Sequence, residues 1–326
     1  MSGEAVGGVA VTGAGGYLGK LVVARLARER DWDGRLIALD VREVPVDERI
    51  DGVTYLIADI REPELAAHLR AHPVDTVVHL AAVVSPGRKS DRAFEYSVDV
   101  EGTRNVLHAC LDNGVGAVVV SSSGAAYGYH ADNPAWLCED DALRGNVEFA
   151  YSDHKRQVEE MLARWRVRHP ELRQLIFRPG TILGATTRNQ ITDLFDGRLV
   201  LALRGAESPF VLIWDEDVAE CFARGVMERR TGIYNLAGDG AVPLRELAGM
   251  LGKPCANLPV GAVREALRLM RMVGVTQYGP EQVDFLRYRP VLSNRRLKEE
   301  FGFTPRKTSR QVFEFFLAER RADDGG

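Results

Sequence analysis

The chain has 326 residues, enough for one large domain or two modest ones, and its 45% hydrophobic content supports an ordinary globular core. A formal net charge of -4 gives no electrostatic case for nucleic acid or an anionic membrane as partner. No apolar run approaches the roughly 20 residues of a membrane span, and Met1 to Gly8 lacks the charged-then-apolar pattern of a signal peptide, so the expected setting is cytoplasmic.

In chain order, Val9-Ala10-Val11 is a short apolar run that stops at a glycine cluster. Leu18, Leu21, Val22 and Leu26 then recur at helical spacing up to Arg28. Strands are predicted at Arg35 to Asp40, Val53 to Ala58 and Asp75 to Val84, with a helix from Glu62 to Ala71. Phe94 to Asn113 predicts one helix, stopped by Asn113-Gly114. Ala117 to Ser121 is a strand, Glu148 to His169 a long helix and Leu175 to Phe177 a strand. Near-continuous apolar strands alternating with helices predict an α/β fold with a parallel sheet covered on both faces.

After Pro179 the rhythm breaks into shorter pieces: strand-like Phe210 to Trp214, helix-like Glu216 to Met227 and strand-like Gly232 to Leu236. Helical patterns return at Pro243 to Leu251, Val263 to Val273, Asn294 to Phe301 and Ser309 to Glu319. The expected organisation is a nucleotide-binding domain over 1–180, with 209–238 returning to it. A smaller substrate-binding subdomain takes 181–208 and 239–320, and 321–326 is expected to be a disordered tail, with Met1 to Gly8 frayed at the other end.

Gly13, Gly16 and Gly19 lie three apart, after a strand and at the opening of a helix. The first permits a tight turn, the second lets the backbone approach a pyrophosphate, and the third lets helix and strand pack closely. The helix N-terminus offers free N–H groups to the phosphates. Asp40 ends the second strand about twenty residues past Gly19, where a carboxylate holds a ribose 2′-hydroxyl and repels a 2′-phosphate, which favours NAD over NADP. Arg42 nearby would partly accommodate NADP. Asp59, after the third strand, suits either a hydrogen bond to the adenine amino group or the N-cap of the next helix.

Tyr151 and Lys155 stand at i and i+4, on one helix face. A free tyrosine titrates near 10 and is a poor base at neutral pH. A neighbouring ammonium and a cationic nicotinamide would favour the phenolate, and Tyr151 would then take a proton from a substrate hydroxyl as hydride leaves. Ser123, in the serine run after a strand, would hydrogen-bond the same oxygen.

These features together resemble the extended short-chain dehydrogenase/reductase family, the group of NAD-dependent epimerases and dehydratases. The resemblance spans about residues 9 to 320 and is carried by Thr12 to Gly19 (TGAGGYLG), Ala38 to Asp40, Ala58 to Ile60 and His79 to Ala82. It continues through Val100 to Cys110, Ser121 to Gly128, Tyr151 to Lys155 and Arg178 to Gly184. It implies a Rossmann-type doubly wound sheet, NAD as cofactor, and Ser123, Tyr151 and Lys155 as catalytic residues. The cofactor would be surrounded by Gly13, Gly16, Tyr17, Leu18, Gly19, Asp40, Asp59, Ile60, Leu80, Ala81, Ala82, Asp99, Ser121, Tyr151, Lys155 and Pro179. It also implies a homodimer through the helices at 94–113 and 148–169.

The chain departs from the nucleotide-sugar epimerases at three places. Asp99 replaces the usual Asn, Thr181-Ile182-Leu183-Gly184 stands where Asn-Val-Tyr-Gly is common, and 207–219 lacks the Arg that grips the sugar-nucleotide diphosphate. Arg188, Arg204 or Arg289 would have to supply that anion contact. The expected activity is hydride removal from a secondary alcohol of a sugar or nucleotide sugar and its return, as in a 4-epimerase. The alternatives are net dehydrogenation of a small polyol, uronate or sterol-like alcohol, and a non-catalytic dinucleotide sensor. His79 and His154 are expected to be structural, no metal site is suggested, and the four separated cysteines read as free thiols. The basic amphipathic stretch Val263 to Val273, with Arg264, Arg268 and Arg271, is expected to be a solvated helix with a packed underside.

Overall fold

The computed structural model describes residues 7–29, 34–84, 90–206, 209–274, 279–280 and 282–324. The strands are β1 (Gly8–Thr12), β2 (Arg35–Asp40), β3 (Val53–Ile57), β4 (Thr76–His79), β5 (Ala117–Ser121), β6 (Arg173–Pro179), β7 (Thr181–Leu183), β8 (Val200–Leu203), β9 (Leu212–Trp214), β10 (Gly232–Leu236) and β11 (Cys255–Leu258). The helices are α1 (Tyr17–Ala27), α2 (Glu64–Ala71), α3 (Arg92–Tyr96), α4 (Thr103–Asp112), α5 (Ala150–Arg168), α6 (Gln190–Asp193), α7 (Asp215–Met227), α8 (Leu244–Met250), α9 (Val260–Met272), α10 (Gln282–Arg287), α11 (Arg295–Glu299) and α12 (Ser309–Asp324).

Seven parallel strands form one sheet in the order β10-β6-β5-β4-β1-β2-β3. The period-2 alternation of side chains explains why both faces are covered. Val9 and Val11 of β1 and Val119 of β5 point into a core with α1 and α7, through Val22, Leu26, Val218 and Phe222. Ala10, Val118 and Val120 point the other way, against Leu65, Leu107, Cys110, Val158 and Leu162 of α2, α4 and α5. A buried leucine such as Leu107 contributes about 2–5 kcal/mol by the usual Leu→Ala cost. The strand order reverses direction between β1 and β4, and in such sheets the ligand crevice opens there, beyond the carboxyl ends of the strands.

β7 pairs with β9 and β8 with β11 in two small parallel sheets, and Phe195, Phe210, Leu212, Leu247, Phe313 and Phe316 form a separate core around them. Leu297 of α11, with Phe301 and Phe303, joins the core of the main sheet. Gly8 is the first residue of β1 rather than part of a frayed end, and α12 runs to Asp324, so 321–324 are helical where a tail was expected. The helix expected over 94–113 is interrupted by a π-helical turn, Ser97–Gly102, which carries Asp99. Such single-turn π insertions bulge a helix, frequently beside functional sites.

Candidate active site

At the end of β1 the chain turns through Gly13, whose φ of 70° suits glycine. A Cβ on Gly13 would sit 2.6 Å from the Ala81 nitrogen, and one on Gly19 would sit 2.0 Å from the Gly13 carbonyl oxygen. The turn can therefore lie against the end of β4, and α1 against the turn, only without side chains. No side chain caps α1 at Gly16, so its first N–H groups are left to a ligand. The Asp40 carboxylate is buried and braces the turn: it accepts from the Gly15 N–H at 2.9 Å and the Arg42 N–H at 3.0 Å. The Arg42 guanidinium lies 3.8 Å from it and is largely exposed. A glycine cradle, an uncapped helix end and a carboxylate beside them suit the pyrophosphate and ribose of a dinucleotide.

One cavity of about 830 Å³ joins this turn to the carboxyl ends of β4, β5 and β6. Of the residues expected at the site, Gly13, Gly16, Tyr17, Leu18, Gly19, Leu80, Ala82, Ser121, Ser123, Tyr151, Lys155 and Pro179 line it. Ala81 sits directly behind Gly13. Asp40 lies beneath the turn instead of on the cavity wall.

Tyr151, in the first turn of α5, lies within hydrogen-bonding reach of Ser123, whose hydroxyl also accepts from the Ala125 N–H at 3.1 Å. Lys155, one helical turn later, donates to the Ser121 carbonyl at 2.8 Å and places Nζ 5.7 Å from the Tyr151 ring centre. Burial pushes the Tyr151 hydroxyl up to about 12, against the smaller favourable effect of Ser123. Burial also lowers Lys155, with Asp99 and Glu159 opposing. The lowered tyrosine pKa expected from the adjacent ammonium is thus not a property of the chain alone; desolvation outweighs it.

Behind these residues lies a buried polar network that the sequence did not suggest. Arg178 of β6 donates to Glu159 of α5 at 2.8, 3.0 and 2.6 Å. It also donates to the Tyr127 hydroxyl at 2.7 Å and the Glu139 carbonyl at 2.9 Å. Glu159 accepts from Ser122 as well. The network ties α5 to β5 and β6 and fixes the strand ends that carry Ser123 and Pro179. Its members lie far apart in sequence, and no local pattern marks them.

Arg289 lies in the same cavity wall, 4.0 Å above the Phe210 ring and 4.6 Å from that of Phe285. Its Nε and Nη2 are buried with no hydrogen-bond partner among the described residues. Burial lowers its pKa to about 10. An unpaired guanidinium between two rings is a strong recognition element for an anion. Tyr129, Phe149 and Phe285 pack together beside it, with ring centres 4.8–5.7 Å apart, and Phe149 lies 6.3 Å from Tyr151. Of the three arginines offered as anion contacts, Arg188 and Arg289 line the cavity and Arg204 does not. Glu207 and Ser208 lie outside the described residues.

Besides Asp40 and Ala81, three further expected cofactor residues do not line the cavity. Asp59 accepts from the Arg61 backbone N–H and ion-pairs with the Arg61 guanidinium at 2.6 Å, which holds its carboxyl below the usual range. It is not the N-cap of α2 either, a position taken by Pro63. Ile60 is buried against Gly102. Asp99 is buried too, and accepts from the Val83 N–H at 2.8 Å while meeting His154 Nδ1 at 3.1 Å. Both histidines are internal. His79 bridges the Thr12 and Thr103 hydroxyls at 2.8 and 2.9 Å, and burial pushes its pKa down to about 3.

The model of the family described as NAD dependent epimerase/dehydratase matches residues 9–217. Among curated proteins, an uncharacterised protein of Mycobacterium tuberculosis (strain ATCC 25618 / H37Rv) is 27% identical over 315 residues, covering 96% of this chain and 84% of the relative. Among solved structures, the UDP-glucose 4-epimerase of Thermotoga maritima with UDP-glucose has a TM-score of 0.74 at 17% identity, covering 97% of this chain and 99% of that one. The dTDP-glucose 4,6-dehydratase of Bacillus anthracis in complex with NAD has a TM-score of 0.74 at 15% identity, covering 98% of each chain. The two structures share the doubly wound fold. The family match spans the glycine turn, the Ser-Tyr-Lys group and the start of α7, and so the chain belongs to the NAD dependent epimerase/dehydratase family, as an NAD-dependent enzyme of the extended short-chain dehydrogenase/reductase type.

Proposed function

We propose that this enzyme takes hydride from a secondary alcohol of a nucleotide sugar and returns it, as a 4-epimerase does. The observation that carries the reading is the single cavity joining the Gly13–Gly19 turn, the Ser123-Tyr151-Lys155 group and the unpaired Arg289 guanidinium. NAD, when bound, supplies the hydride acceptor and donor. Gly13, Gly16 and the first N–H groups of α1 hold its pyrophosphate, and Asp40 takes the adenosine ribose. Leu80, Ala82 and Pro179 give the walls against which it lies.

Ser123 holds the substrate oxygen toward Tyr151. Tyr151 Oη takes the hydroxyl proton in oxidation and gives it back in reduction. Lys155 adds positive charge near the phenol; its anchor on the Ser121 carbonyl fixes that charge in place. Arg289 pairs with the diphosphate, in the role the 207–219 stretch lacks a residue for. Asp99, turned to Val83 and His154, shapes the loop after β4 rather than touching substrate. The same reading expects a cytoplasmic homodimer on the faces of α4 and α5, so light scattering should give twice the chain mass of 36.0 kDa.

The test is to release and identify the nucleotide held by the purified protein, then incubate it with UDP-glucose and UDP-N-acetylglucosamine and assay for the 4-epimers. Epimer formation without net NADH, lost in Tyr151→Phe, is expected. Net NADH with no epimer would replace this reading with a dehydrogenase.

A further inference from the structure

Helix α9 does not behave as an ordinary surface helix. None of its 13 residues is buried, so the packed underside expected from the sequence does not form among the described residues. At 100° per residue, Val263, Ala266, Leu267, Leu269, Met270 and Val273 fall on one arc, and Arg264, Arg268 and Arg271 fall together beside it. On that arc Leu269 is 58% exposed, Met270 41% and Val273 72%, while Val263 and Leu267 are half-buried. A contiguous apolar stripe left open to water costs free energy unless something covers it.

Position and charge point to what covers it. Arg264 ion-pairs with Asp284 of α10 at 2.8 Å, and Phe285, the next residue, lines the cavity. Arg264 and Asp284 also line a shallow depression that shares Tyr129 with the cavity, so α9 stands at the rim of the active site. The chain as a whole is acidic, yet α9 carries three arginines and one acid, Glu265, and each of the three arginines has a partner that a phosphate would replace. The Arg268–Glu265 pair is solvent-exposed and gives way to phosphates at little cost, and the Arg264–Asp284 pair is half-exposed. A basic flank beside an apolar arc fits anionic head groups over acyl chains. Nucleic acid would leave the apolar arc uncovered, and a two-fold contact with a second copy would bring the like-charged flanks together.

We propose that α9 docks this enzyme in the plane of an anionic phospholipid bilayer, with the active-site rim facing the membrane. The full chain is tested by co-sedimentation with vesicles of phosphatidylcholine alone and of phosphatidylcholine with phosphatidylglycerol. Binding is expected only to the anionic vesicles, and it should fall with salt. Each of Arg268→Gln and Arg271→Gln should weaken partitioning by about fivefold, and Leu269→Ser with Met270→Ser should abolish it. All these variants should melt like the parent and epimerise in solution at the parent rate, since none of these side chains is buried or lines the cavity. No binding to anionic vesicles, or binding that both sets of variants leave unchanged, overturns the proposal. So does a dimer that the Leu269/Met270 variant turns into monomer, which would assign the face to a second copy.

Discussion

Replacing Glu159 by alanine tests whether the buried network behind the active site holds the fold together. The side chains of Arg178 and Glu159 are 4% and 2% exposed, so the substitution leaves a guanidinium in the interior with three of its hydrogen bonds gone. Removing one partner of a buried pair costs about 3–5 kcal/mol, because the stranded charge is not rehydrated. With a urea dependence of about 3 kcal/mol per molar, the unfolding midpoint should drop by about 1–1.7 M. Urea titrations followed by circular dichroism measure this directly. Glu159→Met combined with Arg178→Met removes both charges and should recover more than half of the loss. Full recovery is not expected, because Tyr127 and the Glu139 carbonyl also lose a donor. A midpoint shift below about 0.3 M for Glu159→Ala would refute the argument that this pair is desolvated and interdependent.

Tyr17 lines the cavity where NAD is proposed to lie: its hydroxyl donates to Asp215 and meets Thr187 Oγ1 at 2.7 Å, joining α1 to the loop after β7 and to α7. Tyr17→Phe should speed NAD release about tenfold, from two hydrogen bonds of about 0.5–1.5 kcal/mol each, and an unchanged release rate in stopped-flow fluorescence would rule that bridge out. Gly19→Ala puts a methyl 2.0 Å from the Gly13 oxygen and should destabilise by more than about 3 kcal/mol, beyond ordinary overpacking; soluble protein melting within a few degrees of the parent would contradict it. Because Tyr151 in the folded chain titrates near 12 rather than 10, the native state keeps a proton that the unfolded state loses. Its stabilising contribution is complete below pH 10 and disappears between 10 and 12. Unfolding free energies of the parent and Tyr151→Phe should therefore run parallel below pH 10 and converge or cross above it, whereas parallel curves throughout would count against a buried, protonated tyrosine.

Whatever rests on neighbouring residues was legible in the amino-acid order. The glycines at 13, 16 and 19 marked the turn, which admits no side chain at Gly13 or Gly19, and the apolar strands between helices dictated a parallel sheet with two covered faces. Tyr151 and Lys155 share a face because a helix repeats every 3.6 residues. Tertiary structure alone decided which distant groups meet. Arg289, one of three arginines the sequence left as equals, is held unpaired between Phe210 and Phe285, while Arg204 lies off the cavity in the second lobe. For Asp99 and Asp59, expected by position as cofactor ligands, only the fold shows the partners, Val83 and His154 for one and Arg61 for the other. Glu159 found Arg178, nineteen residues away on another element, through the crossover from α5 to β6. In α9 the periodic pattern forecast an apolar stripe correctly but not that none of its residues would be buried among the described residues. Periodicity fixes which residues share a face, while the order in which crossovers stack the elements fixes what that face, or a charged side chain, will meet.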